Sequence, residues 1–129
     1  MNHKKLKFSR FLLVLAAFVL YSAMTAGTSQ AARVVVDQDF TLVNHTGETI
    51  ISVLLSPTGA SRWRAEDELG DYVLKHNYEI DIVFSPWDDA RYWDIRAEFA
   101  DGTYDEWYGF DLFTVSEITL NKNGTASYR

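Results

Sequence analysis

Cysteine is missing from all 129 residues, which excludes a disulfide, a thiol nucleophile and a lipid-attachment cysteine. Histidine is nearly as scarce. Beyond the N-terminal segment only His45 and His76 remain, both at predicted turns, a poor start for a zinc site or a catalytic base. No serine stands in a Gly-X-Ser-X-Gly elbow, so a nucleophilic hydrolase has no local signature. The sequence calls for no cofactor. Long apolar runs are also lacking: the longest, Phe11 to Tyr21, has 11 residues, against the ~20 that a membrane-spanning helix needs.

That apolar run is preceded by Lys4, Lys5, Lys7 and Arg10 and followed by small residues leading to Ala31. A basic start, a short apolar stretch and a small-residue exit make residues 1–31 a signal peptide cleaved after Ala31. A single arginine at Arg10 does not meet the twin-arginine pattern, so general secretion is expected, with a periplasmic or extracellular destination. Residues 32–129 then form one domain, too short for two. All 18 acidic residues stay in it, whereas four of the 12 basic ones leave, giving a net charge of −10. Nucleic acid and anionic membrane surfaces both demand a basic face and are excluded as partners. Cationic peptides, proteins, neutral glycans and divalent cations remain open.

Aromatics have to supply the core that disulfides cannot. Residues 32–129 keep Trp63, Trp87, Trp93, Trp107, six tyrosines and five phenylalanines, each able to bury ~150–250 Å². Trp93, Ile95, Ala97 and Phe99 alternate with Asp94, Arg96 and Glu98, the period of a strand buried on one face. Asp101-Gly102 follows, a strong hairpin turn signal. A two-residue loop sets Phe99 against Tyr104, Ile95 against Tyr108 and Trp93 against Phe110, apolar on apolar, and points Trp107 outward opposite Arg96. A three-residue loop would place Ala97 against Asp105, so burial favours the shorter one. One feature conflicts with that register: Glu98 opposes Asp105, and Glu106 falls on the apolar face, marking an open edge or a bulge.

Phe40–His45, the turn Thr46-Gly47 and the arm Glu48–Leu55 read as a second hairpin, pairing Leu42 with Ile51 and Phe40 with Val53. Further strands are expected at 72–75, at 78–84 with Tyr78, Ile80, Ile82 and Phe84 inward, and at 115–120, with a weak return over 125–129. Val34–Val36 add an edge strand to this reading. Residues 56–70 and 85–91 are loops, the first holding a single helical turn or irregular chain that ends at Gly70. About seven strands joined by hairpins, with no helix long enough to cover a sheet, make this an all-β chain. The expected architecture is a small antiparallel β-sandwich, with a partly open barrel as the competitor.

The succession FTLVNHTGETI, SP, an acidic Trp-containing loop ending in LGD, WDIRAEFADGT and a short DL motif resembles a group of small exported bacterial proteins of unknown function. The resemblance covers nearly all of residues 32–129 and implies a β-rich fold. Members often carry cysteines just before the YWDIR-like strand and after the DL motif, where this chain has Arg91 and Phe113.

The candidate site residues are the tryptophans and the cation beside them. Trp63 and Trp87 lie in the two acidic loops, and Trp107 pairs with Arg96 on the outer sheet face, either as a cation–π cover or as a ligand platform. Asp88 and Asp89 are the candidate calcium ligands, without EF-hand spacing. The leading reading is a binding or structural module recognising a peptide, protein or glycan through loops 56–70 and 85–91. A calcium-stabilised domain and a small acid-base hydrolase are the alternatives.

Overall fold

A computed structural model describes residues 36–129 together with the backbone of Lys5–Lys7. The signal-peptide reading, and Val34 and Val35 of the expected edge strand, lie outside the described residues apart from those three. Val36 itself is in no strand.

Seven strands carry the domain: β1 Phe40–His45, β2 Ile50–Pro57, β3 Glu79–Ile82, β4 Tyr92–Phe99, β5 Tyr104–Asp111, β6 Glu117–Asn121 and β7 Ala126–Tyr128. They form a four-stranded sheet in the order β3-β1-β6-β7 and a three-stranded sheet in the order β2-β4-β5. All neighbours are antiparallel except β1 and β6. Lys5–Lys7 lies parallel beside β3, outside the seven. The inner faces meet in one core, Leu42, Ile80, Ile118 and Leu120 from the larger sheet against Val53, Trp93, Ile95 and Ala97 from the smaller. Phe84 meets the Trp93 ring edge-on at 4.8 Å, and Phe40 stands 6.1 Å from Phe84. Aromatic pairs of this geometry each add about 0.5–1.5 kcal/mol beyond area burial. This is the sandwich expected from the alternation.

The apparent hairpin over residues 40–55 is not one. β1 pairs with β3 and β6, while β2 pairs with β4 in the other sheet, so the two arms face each other across the core instead of lying edge to edge. The reason sits at the corner. Asn44 is fully buried, and its amide donates to the Glu48 and Leu74 carbonyls at 2.7 and 2.8 Å. Its oxygen accepts from the Thr46 amide and hydroxyl at 2.9 and 2.7 Å. With the whole side-chain capacity of Asn44 used, the chain turns out of the larger sheet at Thr46. A register shift between Ile50 and Ser52 then puts Ile50 in the core and leaves Ile51 exposed, the reverse of the expected pairing.

The hairpin β4–β5 exists, with a different register. Phe99 N–H donates to the Thr103 carbonyl at 2.8 Å and Gly102 N–H to the Phe99 carbonyl at 3.0 Å, so the loop has three residues, Ala100 to Gly102. Ala97 faces Asp105, Arg96 faces Glu106 and Ile95 faces Trp107. Asp105 tolerates the inner side because it stands at the rim, exposed. A bulge at Tyr108-Gly109 restores Trp93 opposite Phe110 as expected. Gly109 adopts φ +77°, and its amide donates to Asp94 at 2.8 Å. The tension seen at Glu106 is resolved by this longer loop and bulge.

Segment 72–75 contributes one bridge, Leu74 to Ile50, and no strand. Asn77, φ +68°, makes the turn into β3. The return of β7 onto β6 is as expected.

Candidate functional site

The expected loop 56–70 contains no helix; Ser56 and Pro57 belong to β2, and residues 58–70 run beside that strand as irregular chain. Glu68 N–H donates to the Val53 carbonyl at 2.8 Å and Arg64 N–H to the Leu55 carbonyl at 3.2 Å. The Asp67 carboxylate accepts from the amides of Val53 and Leu69, both at 2.9 Å. A backbone edge thus becomes the anchor of a loop whose acidic sequence forms no regular ladder of its own. Loop 85–91 turns through an Asp88 N–H to Ser85 carbonyl bond of 3.0 Å. At its far end the Ala90 carbonyl accepts from both the Trp93 indole, at 2.8 Å, and the Gln38 amide.

Arg64 joins the two loops. Its guanidinium grips both Asp88 oxygens, at 2.8 and 3.4 Å, and lies 4.5 Å over the Trp93 ring. The loops singled out in the sequence are therefore brought to one end of the sandwich by a residue that was not singled out. The only signal for Arg64 was its place as one of two arginines flanking Trp63, ahead of the acidic run Glu66–Glu68. Trp63 is half-buried, whereas Trp87 is 59% exposed.

Arg96 and Trp107 are not part of this grouping. Trp107 is 5% exposed, faces the core opposite Ile95 and donates its indole N–H to the Thr125 carbonyl at 3.2 Å. Its expected outward position is overturned by the three-residue loop, which moves the part of β5 before the bulge, Tyr104 to Trp107, to the other face relative to β4. Arg96 does lie on the outer face, but its aromatic partner is Tyr104, 3.7 Å from guanidinium to ring centroid. Glu106 and Glu98 flank it at 3.4 and 3.5 Å, and Glu106 also accepts the Tyr108 hydroxyl. That bond raises the Tyr108 phenol above its ordinary value. The face is a cover of arginine, carboxylates and tyrosines that pair with one another, although the buried Arg96 Nε has no hydrogen-bond partner and only its ion-pair contact with Glu98. Asp94 on the same face is buried and holds the Thr58 hydroxyl at 2.6 Å as well as the Gly109 amide.

Asp88 spends its carboxylate on Arg64, and Asp89 is exposed next to it. Among the described residues no group of three or more His, Cys, Asp or Glu stands close enough to hold a metal ion. Two carboxylates, Glu48 and Asp105, line an open polar depression of about 320 Å³ with Thr46, Gly47 and Lys122. Both are exposed, so neither is desolvated in the way an acid-base pair requires. His45 and His76 stand 6.1 Å apart, and His76 Nδ1 accepts the Gly47 amide at 3.0 Å, a turn contact.

No protein-family model matches this chain, and neither a curated protein nor a solved structure matches it. The likeness to small exported proteins therefore lends no residue a role. The two positions where that likeness leads one to expect cysteines do adjoin, with Arg91 5.7 Å over the Phe113 ring.

Proposed function

We propose that this chain is an exported binding module that takes a neutral or cationic ligand, a glycan or a peptide, at the end formed by loops 56–70 and 85–91. The reading is carried by Trp87, a large indole that is 59% exposed on a loop tied down by the Arg64–Asp88 pair. An exposed aromatic on a fixed support supplies contact area at little entropic cost. The surrounding charge is negative, which disfavours anionic ligands and leaves neutral or positive ones.

Titration of the protein with soluble chito- and cello-oligosaccharides and with a lysine-rich peptide, followed by calorimetry, tests the reading. One of these classes is expected to bind, and Trp87→Ala to weaken it about 30-fold or more, as loss of an aromatic anchor does. Binding that survives the substitution, or no binding by either class, overturns it.

A further inference from the structure

The two sheets have four lateral edges, and three are blunted. The β2 edge is covered by residues 64–68, the β5 edge is broken by the bulge at Gly109, and β7 has only three residues. The fourth edge, β3, is a four-residue strand with neither a covering segment nor a bulge within residues 36–129. Asn44 N–H donates to the Tyr78 carbonyl, and Phe84 N–H to Asp39, so the even-numbered residues of this strand bond towards β1. Backbone direction alternates along a strand, hence Glu79 and Asp81 present their N–H and C=O groups outward. Their side chains lie on the face away from the core, since Ile80 and Ile82 are buried.

One segment sits on this edge. Lys5–Lys7 pairs with it in parallel, Lys5 opposite Glu79, Leu6 opposite Ile80 and Lys7 opposite Asp81. The basic-apolar-basic order thus meets an acidic-apolar-acidic one in register. Asp39, which accepts the Phe84 amide just past the end of this strand, adds a further acid beside it.

We propose that the β3 edge is a strand-addition site for an extended peptide in which basic residues alternate with an apolar one. In the uncut chain Lys5–Lys7 is its occupant, and removal of the N-terminal segment opens the edge to a partner of the same pattern. Main-chain bonds supply affinity and the paired charges supply register. The site does not involve Trp87 and stands whether or not the loop-end reading does.

Amide hydrogen exchange tests it. In the full chain, Lys5→Glu with Lys7→Glu is expected to speed exchange at Glu79 and Asp81 at least tenfold and leave Ile80 unchanged. The second arm uses the chain from residue 32, which contains every core side chain, those between Phe40 and Leu120. The synthetic peptide MNHKKLKFSR should slow exchange at the same two amides, with binding about tenfold weaker for Glu79→Lys, unchanged for Trp87→Ala, and weaker at high salt. The peptide with its three lysines replaced by glutamate leaves the protein intact and should not protect. Exchange unaffected at saturating peptide, equal protection by the glutamate peptide, or concentration-dependent protection without peptide through self-pairing of β3 would each overturn the proposal.

Discussion

Residues 40–55 and 93–110 read alike: two alternating arms around a glycine-containing turn. One is a hairpin, and the other is a corner that carries the chain from one sheet to the other. Alternation places apolar side chains on one face of each arm, and that condition is met equally by arms lying side by side and by arms facing across a core. What separates the two regions is the bonding of the backbone at the turn. At the tip of β4–β5, Phe99, Gly102 and Thr103 bond to one another. At residues 44–48 the Asn44 side chain takes the carbonyls of Glu48 and Leu74, binding the corner to a third segment.

The largest test of this contrast lies in the hairpin. Trp107 is buried because the loop has three residues; with two it would point outward. Trp107→Ala is expected to cost about 3–5 kcal/mol in urea unfolding, whereas an outward tryptophan would change stability by under about 0.5 kcal/mol. Next comes the corner. Asn44→Ala leaves the buried Leu74 carbonyl and the Thr46 groups without that partner, and should cost about 3 kcal/mol at an unchanged urea slope. A cost below about 1 kcal/mol would mean that the turn holds without Asn44 and that another contact sets the crossing.

The all-β class and the inward faces of β3, β4 and β6 were legible because each is set by local alternation. Strand partnership was not, since a period of two carries no information on which edge is bonded. The phase error in β5 had a visible symptom in Glu106 on an apolar face. Its cure needed Gly109 to be read as a bulge, although Gly109 lies inside a strand pattern, the position where an isolated glycine signals one. Loop 85–91 was placed correctly, with Trp87 in it, whereas loop 56–70 was begun two residues early, since Ser56 and Pro57, still in β2, pair with Asp94 and Trp93. Their union through Arg64 and Asp88 spans 24 residues of sequence, a distance over which spacing says nothing.

A smaller effect should come from that glycine. Gly109 has φ +77° and open space where a Cβ would project, so Gly109→Ala meets backbone strain alone, about 1–2 kcal/mol. If the bulge is what returns Phe110 to face Trp93, the substitution lowers the melting temperature and slightly exposes Phe110, seen as increased proteolysis at that site. Gly102→Ala, φ +87° with nothing nearby, gives the matching measurement at the hairpin tip. Equal costs at both would indicate strain without loss of register.

The smallest effect is electrostatic, and it isolates the turn from the packing. Asp101 accepts the Thr103 hydroxyl at 2.6 Å and the Thr103 amide at 2.9 Å. These bonds, the hydroxyl first, hold its carboxyl below the ordinary 3.8. A carboxyl depressed in the folded state contributes stability that is fully present above 3.8 and is lost as the pH falls through the lowered folded value. Asp101→Asn keeps an oxygen acceptor without a titrating charge. Its melting temperature should lie slightly below that of the parent near neutrality and converge with it below pH 3.8, while the corner at Asn44, which has no ionisable group in its bonds, shows no such convergence under Asn44→Ala. A constant gap between the parent and Asp101→Asn across that range would place the turn's stability in its backbone bonds alone.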